Sequence, residues 1–272
     1  MTTPDAAPRA PGEPLLSLRG VSKRFGSVQA LAEVDLDLFA GEVLALVGDN
    51  GAGKSTLVKL IAGVAAPDAG SVRWRGRPIE LRHPHDAQAL GIATVYQDLA
   101  LCDNLGVASN LFLGRELTRR GALDEVEMER RSRDLLQALA VRIPDVRAGV
   151  ASLSGGQRQA VAIARALVGE PSLVLLDEPT AALGVEQTAQ VLALVERLRA
   201  RGLAVVLISH NLVDVLAVAD RIAVLRLGRN AGIFDARTVD EQALVAAITG
   251  VAGSAAADRR RRTSPPVEEH GG

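Results

Sequence analysis

Short apolar runs alternate with longer amphipathic stretches along most of this chain. Val43–Val47, Leu173–Leu176, Leu203–Ile208 and Ile222–Leu227 are nearly unbroken apolar runs of strand length. A run this short predicts a strand buried on both faces, and helical patterns between such runs predict the crossovers of a mostly parallel sheet. Three of the runs lead into Gly48, Asp177-Glu178 and Ser209-His210. These are residues suited to chemistry, at the carboxyl ends where open parallel sheets carry it. Leu16–Arg24, Val34–Phe39 and Ser71–Arg75 show alternation and turn residues instead, which predicts an antiparallel β portion. Residues from about 98 to 165, Asp124–Val141 included, carry mainly helical periodicity. The predicted class is α/β: a mostly parallel sheet core, an antiparallel β subdomain and a helical subdomain.

Composition sharpens this picture in a few places. Hydrophobic residues are 48% of the chain but aromatics only 2%, so the core must be aliphatic. The net charge of -1 argues against a surface that holds nucleic acid by neutralising phosphates. Lysine occurs only at Lys23, Lys54 and Lys59, so a lysine in a motif is worth notice. Cys102 is the only cysteine, which excludes an internal disulfide or a cysteine-cluster metal site and fits a reducing cytoplasm. Residues 1–14 are rich in Pro and Ala and predict a disordered leader, not a signal peptide. Residues 253–272, with Arg259–Arg262 before Thr263-Ser264-Pro265-Pro266, predict a disordered, solvated tail. Residues 15–252 between them are the predicted nucleotide-binding domain, since its motif occurs once. No apolar run approaches the ~20 residues of a spanning helix, so a membrane role requires a partner. His83 and His85 lie in a Pro-containing loop without metal-ligand spacing and read as surface residues.

Gly48-Asp49-Asn50-Gly51-Ala52-Gly53-Lys54-Ser55 matches G-x-x-x-x-G-K-[ST], between an apolar strand and a helical pattern over Thr56–Ala62. Glycines let the backbone turn its N–H groups toward phosphates, and the helix start adds positive potential. Lys54 would reach the β- and γ-phosphates, Ser55 would give Mg²⁺ an oxygen, and Thr56 would bond a phosphate. Asp177 and Glu178 end a second buried strand; as neighbours on a strand they would face opposite sides. Asp177 would then hold Mg²⁺ while Glu178 serves as general base toward water. An ordinary polar strand end before Pro179 explains the pair alone, but not beside a phosphate loop. Leu153-Ser154-Gly155-Gly156-Gln157 precedes a further helical pattern, Arg158–Val168. A plain N-cap accounts for it locally, while its glycine amides at a helix start also offer a second phosphate-seeking surface.

Taken in order, these residues resemble the ATPase subunits of ABC transporters. Leu153, Ser154, Gly155, Gly156 and Gln157 are similar to the family signature. Gln97 in Val95-Tyr96-Gln97-Asp98 resembles the Q-loop, Pro179–Gly184 the D-loop, and His210 the switch histidine. Phe25 occupies the adenine-stacking position, usually tyrosine, and Gly184 stands where an aspartate is usual. The resemblance covers about residues 16–250. It implies ATP and Mg²⁺ as ligands, with Ser55, Gln97 and Asp177 at the metal and Glu178, His210 and Gln97 in catalysis. It also implies a head-to-tail homodimer, in which Lys54 of one copy and Ser154 of the other enclose each ATP.

Gly48-Asp49-Asn50-Gly51, Tyr96–Leu101, Ala182–Val185 and Arg226–Arg229 are similar to the simple-sugar importers, in particular their single-domain fructose-type members. That branch implies an integral membrane permease, an extracytoplasmic sugar-binding protein acting indirectly, no nucleic acid, and a place at the cytoplasmic face of the membrane. Other transporter branches, export included, and a soluble ATPase acting on DNA or ribosomes remain open. The latter lacks support in any long coiled-coil insertion or second ATPase domain. A P-loop kinase would leave the Leu153–Gln157 motif unexplained.

Overall fold

The computed structural model describes residues 12–250. The expected leader up to residue 11 and the expected tail lie outside the described residues. In chain order the elements are β1 (Leu16–Phe25), β2 (Val28–Leu38), β3 (Val43–Val47), α1 (Lys54–Ile61), β4 (Ala69–Trp74), β5 (Arg77–Ile79), α2 (Pro84–Ala89), β6 (Ile92–Val95) and α3 (Val107–Phe112). The short strands β7 (Thr118–Arg119) and β8 (Ala122–Leu123) follow, then α4 (Glu125–Ala138), α5 (Gly155–Leu167), β9 (Leu173–Asp177), α6 (Val185–Ala200) and β10 (Ala204–Ile208). α7 (Leu212–Val218), β11 (Arg221–Arg226), β12 (Arg229–Asp235) and α8 (Glu241–Thr249) complete the order.

The strands expected from apolar runs assemble into one sheet, in the order β12-β11-β3-β10-β9-β6. All its pairings are parallel except that of the edge strand β12 with β11. Continuous apolarity is needed because both faces are covered. Val43, Ala45 and Val47 of β3, with Val174 and Leu176 of β9, enter a core built with α3, α4, α5 and α6. Leu44, Leu46, Leu173 and Leu175, one step out of phase, enter a second core with α1 and strands β1, β2 and β4. The second sheet, in the order β2-β1-β4-β5, is antiparallel as its alternation predicts. Leu36 and Leu38 point into the core, while Asp35 is exposed. Asn230 of β12 stitches the two sheets, donating to Asp35 O at 3.0 Å and accepting from Asp35 N at 2.9 Å.

Residues 98–165 hold α3, α4, α5 and the β7–β8 hairpin, but the helical expectation fails at the start. Residues 98–105 are irregular. Several of their backbone polar groups are met by the side chains of Asn110 and Arg165 rather than by helical neighbours.

Candidate functional site

β3 delivers the chain into the glycine-rich loop between itself and α1. Gly48 has φ 150, and a side chain there would collide with the Leu225 carbonyl of adjacent β11. Gly53 caps α1 with φ 103, and a Cβ there would lie 2.6 Å from Ala30 O. Only glycine fits either place. The N–H groups of Lys54, Ser55 and Thr56 precede the first helical bond, Leu57 N to Gly53 O at 2.9 Å. No side chain caps this helix and no acid lies in its first turn, which leaves an N-terminus open to an anion. Asp49 shapes the loop: its carboxylate accepts from Asn50 N at 2.7 Å and its carbonyl from Ala52 N at 3.1 Å. Asn50, Gly51 and Ser55 are exposed, Thr56 is half-buried and Ala52 is buried. The Lys54 ammonium curls back over the loop, donating to Gly48 O at 2.6 Å and Asp49 O at 3.0 Å. Phe25 ends β1 and is 51% exposed, and the Lys23 ammonium lies 5.6 Å from its ring centre. β2, the hairpin partner of β1, touches Gly53 through Ala30 and Leu31, so the hairpin carrying Phe25 abuts the phosphate loop.

Parallel pairing brings the remaining groups alongside. Asp177 is in register with Ile208 of β10, and Val95 of β6 with Leu176. Tyr96 therefore falls beside Asp177, whose charge, after burial, raises the tyrosine's pKa. Gln97 follows, exposed, one residue further out. Burial, then the neighbouring Glu178, pushes the Asp177 carboxyl above its ordinary range, while Lys54 and Lys59 oppose the rise. This influence of Lys54 links the acid pair to the phosphate loop. Ser55, Asp177 and Gln97 offer hard oxygen donors, which suit Mg²⁺. Among the described residues no group of three His, Cys, Asp or Glu forms a metal cage. Mg²⁺ bound through one carboxylate plus phosphate oxygens needs none.

One sequence expectation needs correction. Asp177 and Glu178 do not diverge by strand alternation, because β9 ends at Asp177. Glu178 turns into the left-handed region, φ 50, and its N–H bonds Ile208 O at 3.0 Å. That turn brings its carboxylate to the histidine after β10: His210 Nδ1 lies 2.9 Å from Glu178 Oε2. The Glu178 side chain is 16% exposed and that of His210 73%.

The glycine motif at 153–157 is a local helix cap, as its plain reading held. Leu153 is buried, and the Ser154 Oγ accepts from Gln157 N at 3.3 Å. Gln157 Oε1 in turn accepts from Ser154 N at 3.0 Å, a reciprocal capping box. Capping does not require two glycines. Gly156 is explained by packing, since a Cβ there would lie 3.0 Å from Gln187 Cβ of α6. Ser154 and Gly155 remain exposed, and the motif's neighbours are Arg142, Leu183 and Gln187, none in the phosphate loop. The structure thus gathers Lys54, Asp177, Glu178, His210 and the Tyr96-Gln97 step at the sheet's carboxyl edge, with the signature on a separate surface.

Two residues that brace the backbone around these groups escaped sequence reading. Asp214, buried in α7, accepts from Thr180 Oγ1 at 2.7 Å and ties the turn after Glu178 to the helix after His210. Its signal was a lone acid inside the apolar pattern Leu212–Val218. Arg165, in the last turn of α5, bonds the backbone beyond Gln97, and no local pattern marks it.

Comparison with known proteins places this arrangement. A family model described as ABC transporter matches residues 31–181, taking in the phosphate loop, Gln97, the signature and the acid pair. The fructose import ATP-binding protein FrcA of Rhizobium meliloti is 47% identical over 246 residues, 88% of this chain and 95% of that protein. A xylose/arabinose import ATP-binding protein of Sulfolobus acidocaldarius is 48% identical over 215 residues, 79% of this chain and 86% of its own. A ribose import ATP-binding protein of Rubrobacter xylanophilus is 47% identical over 219 residues, 80% of this chain but only 44% of its own. Among solved structures, an ATP-binding cassette of an ABC transporter superposes with TM-score 0.77 at 26% identity, covering 86% of this chain and 98% of that one. A dimeric cassette in a post-hydrolysis state with ADP and Pi gives 0.69 at 27% identity, covering 82% of this chain and 100% of that one. Sequence, fold and site geometry converge, and this chain belongs to the ABC transporter family.

Proposed function

We propose that this chain is the ATP-hydrolysing subunit of a simple-sugar importer, acting as two head-to-tail copies beneath a separate membrane permease. The observation that carries the reading is the division of the phosphate-seeking groups. Lys54 and the acid pair sit at one edge, while Ser154 and Gly155 are exposed on a separate surface, where their contacts are those of a helix cap and the phosphate loop of their own chain is not among them. A second copy completes each site. The names of the fructose, xylose/arabinose and ribose import proteins support the sugar assignment. Residues 15–252 act as the nucleotide-binding unit.

The loop amides from Gly48 to Thr56 and the Lys54 ammonium hold the triphosphate, and Phe25 stacks on the adenine. Ser55, Asp177 and Gln97 would hold Mg²⁺, which would supply positive charge to offset that of the phosphates. Glu178 takes the proton of the attacking water, held toward it by His210. Leu153–Gln157 of the second copy present the α5 N-terminus and the Ser154 hydroxyl to the γ-phosphate. Among the described residues no helix is long and apolar enough to cross a membrane, so the permease supplies the contact with the cytoplasmic face. A groove of about 390 Å³ lined by Tyr96, Leu111, Leu113, Ala162 and Arg165 offers a seat for a permease helix next to the Tyr96-Gln97 step.

Replacing Glu178 with Gln tests the reading. ATP affinity should hold while turnover falls by about a hundredfold or more; normal hydrolysis would remove Glu178 as the base. Capture of the full chain from detergent-solubilised membranes of its own cells should bring a polytopic permease, whereas recovery with nucleic acid or ribosomes overturns the transport assignment.

A further inference from the structure

The end of β1 that carries Phe25 is poorly supported by the strands beside it. Its last partner on β4 is Ala69, opposite Ser22, because β4 begins there. Its register against β2 slips on both sides of Lys23. Only the Gly26-Ser27 turn then separates Phe25 from Val28 of β2. A hairpin tip of two strands is held weakly in water, and Phe25 is exposed on it.

Asp68, in the loop that leads into β4, supplies the missing support. Its N–H donates to Ser22 O at 2.9 Å. Its Oδ2 accepts from Arg24 N at 2.7 Å, in place of the carbonyl that a longer β4 would offer. Its Oδ1 accepts from the Lys23 ammonium at 2.8 Å. The bond from Lys23, then that from Arg24 N, holds the Asp68 carboxyl below its ordinary pKa. Lys23 in turn keeps its ammonium within cation–π reach of the Phe25 ring. One carboxylate thus fastens the strand of Phe25 through the backbone and the ring itself through a cation. Gly70 lets the loop come this close: its φ is 92, and a Cβ there would lie 2.5 Å from Gly20 O. Among the described residues Asp68 hydrogen-bonds only Ser22, Lys23 and Arg24, none of them in the phosphate loop.

Ordering one or two loose residues costs about as much free energy as one stacked base contributes. An aromatic ring on a free tip would therefore add little to ATP binding, whereas a ring fixed beforehand adds its full stacking energy. We propose that Asp68 is a positioning residue for the adenine subsite: its carboxylate, bonded at once to the Arg24 amide and the Lys23 ammonium, holds Phe25 in place before ATP arrives. The inference rests on the stacking of Phe25 on adenine proposed above and adds the residue that presets the ring.

The test places Asp68→Ala, Asp68→Asn and Phe25→Ala in the full chain and measures binding of ATP and of inorganic tripolyphosphate, each with Mg²⁺. Phe25→Ala should weaken ATP binding about fivefold or more, the worth of one stacked base. Asp68→Ala should weaken it about threefold or more and raise KM to match at unchanged kcat, the mark of lost ground-state binding. Tripolyphosphate has no base, so its affinity should hold in both variants, which a general folding defect would not allow. Asp68→Asn keeps an acceptor for the Arg24 amide but loses the charge that faces Lys23, and should lose less than Asp68→Ala. Adding Asp68→Ala to Phe25→Ala should cost no more than Phe25→Ala alone. If Asp68→Ala does not fold, Asp68→Asn decides by the same readouts. Unchanged ATP affinity in Asp68→Ala, equal losses for ATP and tripolyphosphate, or additive losses in the double variant overturn the proposal while leaving Phe25 as the stacking ring. Unchanged ATP affinity in Phe25→Ala overturns the stacking reading and the inference with it.

Discussion

Glu178 shows how function is set against stability at a single residue. Its φ of 50 is a conformation that residues with a Cβ adopt at a cost of roughly 1–2 kcal/mol, and it is what turns the carboxylate to His210. Glu178→Gly should relieve that cost, raising stability by about 1 kcal/mol in denaturant titration while turnover is lost. A destabilised variant would show that the histidine contact outweighs the backbone. Asp177 makes the same point through protonation. Its pKa is raised by burial and by Glu178, so the folded chain binds this proton more tightly than the unfolded one. The resulting stability is full below the ordinary aspartate value of 3.8 and is lost as pH rises through the raised value. Asp177→Asn should therefore melt higher than the parent without nucleotide at neutral pH, and the gain should vanish in acid. Both residues were visible in the sequence as a carboxylate pair after an apolar run. The left-handed turn was not, because no local rule favours it in a glutamate.

At the scale of elements, helix starts carry the site, and each start is built differently. α1 opens on a bare glycine, α5 on a capping box, and α6 on Gly184, which has φ -73, ψ 166 and no side-chain cap. Nothing lies within 4 Å of a Cβ built at Gly184. Gly184→Asp should supply the missing cap and restore the family's usual residue, stabilising by a few tenths of a kcal/mol; an unchanged melting curve would count against the added cap. At Ser154 capping and the proposed contact with the partner's ATP can be tested apart. Ser154→Asp retains an N-cap acceptor, so thermal stability should hold, yet its charge would face the triphosphate of the partner copy. ATP-driven dimerisation should be lost; if it survives, Ser154 does not meet phosphate. Helix boundaries were legible to within a few residues: the pattern began at Thr56, the helix at Lys54. Residues 98–105 were misjudged because apolar spacing alone does not reveal that distant side chains satisfy a segment's backbone. β12 was not anticipated because its alternation is shallow, between exposed and half-buried positions with none fully buried, as suits an antiparallel edge strand.

Across the whole molecule, one parallel sheet forms a wall common to two cores, since neighbouring residues of each strand enter opposite sides. Leu175 and Leu176 are both fully buried but belong to different cores. Truncating either to Ala should cost about 2–5 kcal/mol. Trp74, the only tryptophan, is buried in the core shared with the antiparallel sheet. Its fluorescence and the far-ultraviolet dichroism of the helices should therefore lose structure together in urea; separate midpoints would show that the two cores melt independently.

The sequence by itself determined what local physics can write. Glycine spacing makes a phosphate loop, unbroken apolar runs make doubly buried strands, and a Ser and Gln three residues apart cap a helix. Those rules concern residues close in the chain, and they identified each motif. Only the tertiary structure decided which motifs meet. Glu178 and His210 are 32 residues apart in sequence, and they touch because β9 and β10 pair in parallel. Lys54 reaches the same edge because β3 lies next to β10. Strand order and helix packing are set by the burial of every element at once, so no local period encodes them. For the same reason the grip of Arg165 on the backbone beyond Gln97 became visible only in three dimensions.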